Sequence, residues 1–134
     1  MKKVALVLSG GSALGFAHVG VIKVLEKYNV PIDIVVGTSM GGLVGASYSA
    51  GLSAEEMTKF ACKFKRIHFI DVNFNASGLF SGKGVMKNIN KFLPNVNIGN
   101  LDTKFACVSC DLLSEKAVIL DKGSYVQQSF FVVS

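Results

Sequence analysis

Proline and cysteine are scarce in this sequence: two Pro and three Cys among 134 residues. So little of either excludes a collagen-like chain and a disulfide-stapled one. Charge is scarce as well. Only 17% of residues are charged against 50% apolar, and the mean hydropathy is +0.45. Disordered tails have the opposite balance. Fourteen Lys+Arg against nine Asp+Glu give +5 and a pI near 9.2, too mild a bias for a nucleic-acid tail. No nucleic acid is expected as a partner. A secretory signal is lacking too: Met1-Lys2-Lys3 and the apolar Val4 to Leu8 imitate its start, but Ser9-Gly10-Gly11 break the run early. Free thiols in a cytoplasmic setting are therefore expected. The longest uncharged stretch, Ile34 to Ala54, contains five Gly, four Ser and a Thr, which is too polar for a membrane span.

What is present reads as one α/β unit. Val4 to Leu8 is a continuous apolar run, as in a buried parallel strand. The spacing predicts a helix over Leu14 to Tyr28, with Leu14, Ala17, Val21, Val24 or Leu25, and Tyr28 on its inner face. Asn29 and Pro31 end it, and Ile32 to Val36 is a second strand. Such a β-α-β unit is parallel. A small-residue helix then runs from about Gly41 to Ala50 and stops at Gly51. Ser53-Ala54-Glu55-Glu56 is a capping box opening a helix with Met57, Phe60, Ala61 and Phe64 on one face. Arg66 to Phe80 lacks a period and reads as a loop or lid, and a further helix starts at Ser81 or Gly82. Phe105 to Cys110 and Ala117 to Leu120 read as strands joined by a short turn. The apolar ending Phe130-Phe131-Val132-Val133-Ser134 reads as a cut inside a core element, so the chain is expected to be incomplete at its C-terminus.

Two turns hold the chemistry. Gly37-Thr38-Ser39-Met40-Gly41 fits G-x-S-x-G between a strand and a helix, the setting of a nucleophile elbow. There the serine backbone is strained and its Oγ sits at a helix N-terminus, where positive potential favours a developing alkoxide. The bland alternative is a Gly/Ser turn chosen for close helix-sheet packing. The second turn, Ser9-Gly10-Gly11-Ser12-Ala13-Leu14-Gly15, follows the first strand. It lacks the Lys-Ser/Thr of a P-loop and the second Gly of a dinucleotide fingerprint. A third reading makes it an oxyanion hole for Ser39, since adjacent parallel strands place both turns at one sheet edge. A plain tight turn stays open beside these.

Val4 to Gly11, the helix beginning Gly15-Phe16-Ala17-His18-Val19-Gly20-Val21, and Gly37 to Gly41 together resemble the patatin-like phospholipases, in particular their bacterial members. Phe105 to Leu112 with Ala117 to Leu120 resembles that family's mid-domain strands, and Gly123 to Gln127 the start of its next helix. The resemblance implies an acyl-ester hydrolase of lipids that uses a Ser-Asp dyad. It makes Ser39 the catalytic nucleophile. Gly10, Gly11 and Ser12 would supply the oxyanion N–H groups, with Gly37, Thr38, Met40 and Gly41 shaping the elbow. It implies neither metal nor organic cofactor. The fold expected is α/β, a three-layer sandwich with a mostly parallel central sheet, C-terminally incomplete: residues 1–134 would be the N-terminal portion of a single patatin-like acyl hydrolase domain.

Three departures stand out. Ser12 occupies the third glycine of the family's loop, and Leu14 its basic residue. The family's aspartate sits in an Asp-Gly motif, and no Asp-Gly occurs in these residues. Asp111 matches a different family position, and Asp102 and Asp121 fall in turns. These departures suit an alternative, an inactive lipid- or acyl-binding module. A malonyl-type acyltransferase ranks below it, since it needs an arginine for the acyl carboxylate and Arg66 is the only one.

His18 reads as a packed helix histidine rather than a base. Cys107 and Cys110, three apart on a strand, face opposite ways and read as ordinary thiols. Lys59, Lys63, Lys65, Arg66, Lys83, Lys87 and Lys91 against Asp71 make residues 59–91 strongly basic. With Phe69, Phe74 and Phe80 nearby, this segment suits peripheral contact with an anionic membrane surface, or else a solvated helix face with buried aromatics.

Overall fold

The computed structural model describes residues 2–63, 93, 97–111 and 113–125. Four strands form one sheet in the order β1-β2-β3-β4: β1 (Ala5–Leu8), β2 (Ile34–Gly37), β3 (Lys104–Asp111) and β4 (Lys116–Leu120). β1 and β2 are parallel, as are β2 and β3, while β4 returns antiparallel to β3. The molecule is thus α/β with a mostly parallel sheet, as the sequence pattern predicts. One row of partners, Leu8, Gly37, Cys107 and Leu120, crosses the sheet where β1 and β2 end. The turns that follow β1 and β2 both leave the sheet just beyond this row.

Among the described residues three α-helices lie between β1 and β3: α1 (Ala17–Lys27), α2 (Met40–Ser49) and α3 (Ala54–Lys63). α2 lies directly on the sheet, and α1 and α3 close over it. Every residue from Met40 to Ser47 is buried as a result. This explains its composition. A helix covered on both sides needs small residues where its backbone meets the sheet: a Cβ on Gly45 would lie 2.8 Å from Val35 Cγ1, while Met40, Leu43 and Val44 are buried beside it. The uncharged stretch Ile34 to Ala54 is therefore a strand, a turn and a buried helix. Among the described residues no helix is long and apolar enough to cross a membrane.

The α1 reading needs correction at two points. The chain from Ser12 to Phe16 is a 3-10 turn, and the α-helix starts only at Ala17. The buried face carries Val19 and Ile22, whereas Leu14 (84% exposed), Val21 (50%), Val24 (53%) and Tyr28 (68%) face outward. The segment has two apolar stripes, and the pattern selects the wrong one. A helix phase counted from Leu14 fails because the tighter turn before Ala17 winds with three residues per turn rather than 3.6.

The capping box is formed. The Glu56 carboxylate accepts from the Ser53 N–H and hydroxyl, both at 2.8 Å, and the Glu56 N–H donates to Ser53 Oγ at 3.3 Å. The Ser53 backbone N–H and then its hydroxyl hold the Glu56 carboxyl below its usual range. A second acceptor comes from α1: Glu26 takes the Ala54 N–H at 3.2 Å and 3.3 Å through its two oxygens. This long-range cap ties α3 to α1 and has no local sequence signal. β3 and β4 join through a turn in which Asp111 accepts from the Leu113 N–H (3.1 Å) and the Ser114 hydroxyl (2.7 Å). The expected loop over Arg66 to Phe80, the helix after Ser81 and the apolar tail lie outside the described residues, as do Phe64, Lys65, His68, Lys83, Lys87 and Lys91.

Candidate active site

Ser39 links β2 to α2 and stands at the helix N-cap with φ 52° and ψ −124°. A non-glycine residue outside the ordinary basins costs on the order of 1–3 kcal/mol and persists only where its surroundings dictate it. Here the surroundings are backbone. A Cβ on Gly37 would strike the Gly41 carbonyl, and one on Gly41 would strike the Leu8 carbonyl and come to 2.5 Å from the Ser9 oxygen. The β2–α2 turn therefore folds back on itself and is wedged against the end of β1, which only glycine at both positions permits. Hydrogen bonds fix the rest: Thr38 N–H to Leu8 O at 3.1 Å, Gly41 N–H to Thr38 O at 2.9 Å, and Leu43 N–H to Ser39 O at 3.1 Å.

The glycine turn after β1 lies beside it. A Cβ on Gly10 would sit 3.3 Å from Ser39 Cβ and 3.9 Å from Ser39 Oγ. The two motifs, 29 residues apart in sequence, thus meet at one sheet edge, as adjacency of β1 and β2 requires. Gly11 has φ 149° and Ser12 φ 50°, both in the region that favours glycine. Leu14 N–H closes the turn onto Gly11 O at 3.0 Å. Gly11, Ser12, Ala13 and Leu14 are exposed, while Met40 is buried and Ser39 half-buried.

His18, in the first turn of α1, contacts Ser9 O through Nε2 at 2.8 Å. A carbonyl only accepts, so Nε2 carries the hydrogen. That nitrogen is not available to take a proton from Ser39. The sequence reading treats His18 as packing and misses this bond. Its signal was the short distance in sequence between His18 and the glycine turn.

None of the described aspartates has a hydrogen bond to this cluster. Asp33 accepts the Val4 N–H at 2.7 Å, Asp111 is engaged in the β3–β4 turn, and Asp102 and Asp121 are exposed. Cys107 is buried and Cys110 exposed, so the two thiols face opposite ways as their spacing predicts. Burial pushes the Cys107 thiol up to about 11, which keeps it protonated and inert. Among the described residues no three His, Cys, Asp or Glu side chains gather where they could hold a metal.

Comparison with known proteins gives the following. The family model for patatin-like phospholipase matches residues 6–131. Neuropathy target esterase sws of Drosophila persimilis is 30% identical over 137 residues, covering 96% of this chain and 10% of the relative. Human patatin-like phospholipase domain-containing protein 6 is 30% identical over 135 residues, covering 94% of this chain and 10% of the relative. The chain thus spans about a tenth of these relatives. Among solved structures, the type III effector protein ExoU aligns with TM-score 0.47 and 30% identity, over 52% of this chain and 13% of that one.

Proposed function

The chain belongs to the patatin-like phospholipase family, and from that premise we propose that it is the N-terminal portion of a single serine acyl hydrolase domain acting on acyl esters of lipids. Ser39 is the nucleophile. Its Oγ attacks the ester carbonyl, the alcohol leaves, and water then releases the acyl group from the serine. The oxyanion formed at each step lies against the N–H groups of Gly10, Gly11 and Ser12, the last carrying a hydroxymethyl where the family has glycine. Gly37, Thr38, Met40 and Gly41 form the elbow. The observation that carries this reading is the approach of Gly10 to Ser39 Oγ across two strands, coupled to the positive φ of Ser39.

A general base must take the Ser39 proton, which typically contributes about 10²–10⁴-fold. None of Asp33, Asp102, Asp111 or Asp121 is assigned that role, and the family's Asp-Gly motif is the expected source. Contact with an anionic membrane surface through the basic segment 59–91 forms part of the proposal, at the cytoplasmic face where free thiols persist. Lys59 already pairs with Glu55 at 2.9 Å, so the remaining cations of that segment would do this work.

A second reading, acyl binding without turnover, draws on Leu14, which is 84% exposed where the family carries a cation. Hydrolysis of phosphatidylcholine vesicles and of a p-nitrophenyl acyl ester by the intact protein separates the two. Release that falls to background in Ser39→Ala supports the hydrolase. Saturable vesicle binding with no Ser39-dependent release supports the binding module.

A further inference from the structure

We infer that His18 is a positioning residue that aims the Gly10 N–H, an inference resting on the oxyanion role given to that group above. The Ser9 carbonyl is held from two sides. His18 Nε2–H donates to it at 2.8 Å, and the Gly41 Cα presses against it so closely that a Cβ there would lie 2.5 Å from the oxygen. The Ser9–Gly10 peptide is trans and planar, so its N–H points opposite to its carbonyl. Fixing Ser9 O therefore fixes the direction of the Gly10 N–H. A Cβ on this same glycine would lie 3.9 Å from Ser39 Oγ.

This constraint matters because the turn is open between its two anchors, the Ser9 carbonyl and the buried Gly15. Gly11 to Leu14 are exposed, and Gly11 and Ser12 stand at positive φ. An oxyanion donor works only when it is aimed before the charge develops, and removal of one donor costs about 10²–10³-fold. His18 reaches no reacting atom itself. It acts through the peptide plane, from a rigid helix start, as a supporting residue that locks a donor.

The test compares His18→Ala and His18→Gln in the intact protein, since the Gln amide N–H can occupy the place of Nε2–H. Amide hydrogen exchange over residues 9–15 is expected to quicken about 10-fold or more in the Ala variant and to return toward wild type in the Gln variant, with α1 protection unchanged. On p-nitrophenyl ester the Ala variant is expected to lose about 10- to 100-fold in kcat with KM little changed, and Gln to recover most of it. Unaltered exchange over 9–15 in the Ala variant overturns the inference, as does a kcat loss that Gln fails to rescue. If the wild type hydrolyses nothing, the hydrolase reading falls, and the exchange experiment alone still decides whether His18 aims this peptide.

Discussion

Two turns leave the same sheet edge, each with a serine at positive φ: Ser12 at 50° after β1 and Ser39 at 52° after β2. They are held by different means. The Ser39 turn is locked by sterics, with Gly37, Gly41 and the carbonyls of Leu8 and Ser9 packed so closely that no side chain fits between them. The Ser12 turn is open to solvent from Gly11 to Leu14 and held there by polar bonds, from Leu14 N–H to Gly11 O and from His18 to Ser9 O, with its last residue, Gly15, buried against Met40. A packed turn resists distortion through the repulsive wall of its neighbours, and a hydrogen-bonded one only through about 1 kcal/mol per bond. Ser39 is thus set by the fold itself, and the glycine turn is the adjustable half of the proposed site.

Substitution at the two turns should therefore give opposite outcomes. Gly41→Ala drives a methyl into the Leu8 and Ser9 carbonyls and is expected to cost about 3 kcal/mol or more, read as a lowered urea midpoint or failure to fold. A wild-type midpoint would remove the steric half of the comparison. Gly10→Ala meets only Ser39 Cβ at 3.3 Å and sits at no positive φ. It should cost under about 1 kcal/mol in stability yet depress Ser39-dependent hydrolysis about 10-fold or more, since the methyl intrudes beside Ser39 Oγ. Equal damage to stability from both glycines would show that the turns do not differ.

Smaller effects sharpen the contrast. Ser12→Gly releases an exposed residue from a left-handed backbone and should raise stability by about 0.5 kcal/mol, the relief of strain exceeding the added unfolded-chain entropy. A fall in the denaturation midpoint would mean that the Ser12 side chain supports the turn. Beneath both turns, Cys107 lies in the row joining Leu8, Gly37 and Leu120, its thiol raised from 9.0 to about 11 by burial. The folded state holds this proton more tightly than the unfolded chain. The stability it contributes is fully present below pH 9 and is lost as pH rises toward 11. Tyr125, raised by burial, adds the same sign at higher pH. Denaturation between pH 8 and pH 11 should show this decline, and Cys107→Ala should flatten it.

The parts of the fold visible in sequence are those with local causes. The apolar runs of β1 and β2, the Ser53–Glu56 box and the glycines around Ser39 each act within a few residues and lie within two residues of where the pattern predicts, although β1 is not the buried strand expected, with Val7 74% exposed. The β-α-β order also brings the two turns together, because parallel neighbours leave the sheet at one edge. What escaped has long-range causes. The inner face of α1 is chosen by packing against α2 and α3, and Val19 and Ile22 win over Val21 and Val24 although both stripes are apolar. The Glu26 cap on Ala54 spans 28 residues. The His18–Ser9 bond depends on a 3-10 turn whose tighter winding no hydrophobic period announces.

The central claim is that Ser39 accepts an acyl group at its Oγ. The direct measurement is to treat the intact protein with a fluorophosphonate, digest it, and locate the adduct by mass spectrometry. One adduct on the peptide containing Ser39, abolished in Ser39→Ala while the variant keeps its wild-type denaturation midpoint, is the predicted result. No adduct, or an adduct unchanged in Ser39→Ala, would contradict the account and leave the β2–α2 turn as a device for packing a small-residue helix against the sheet.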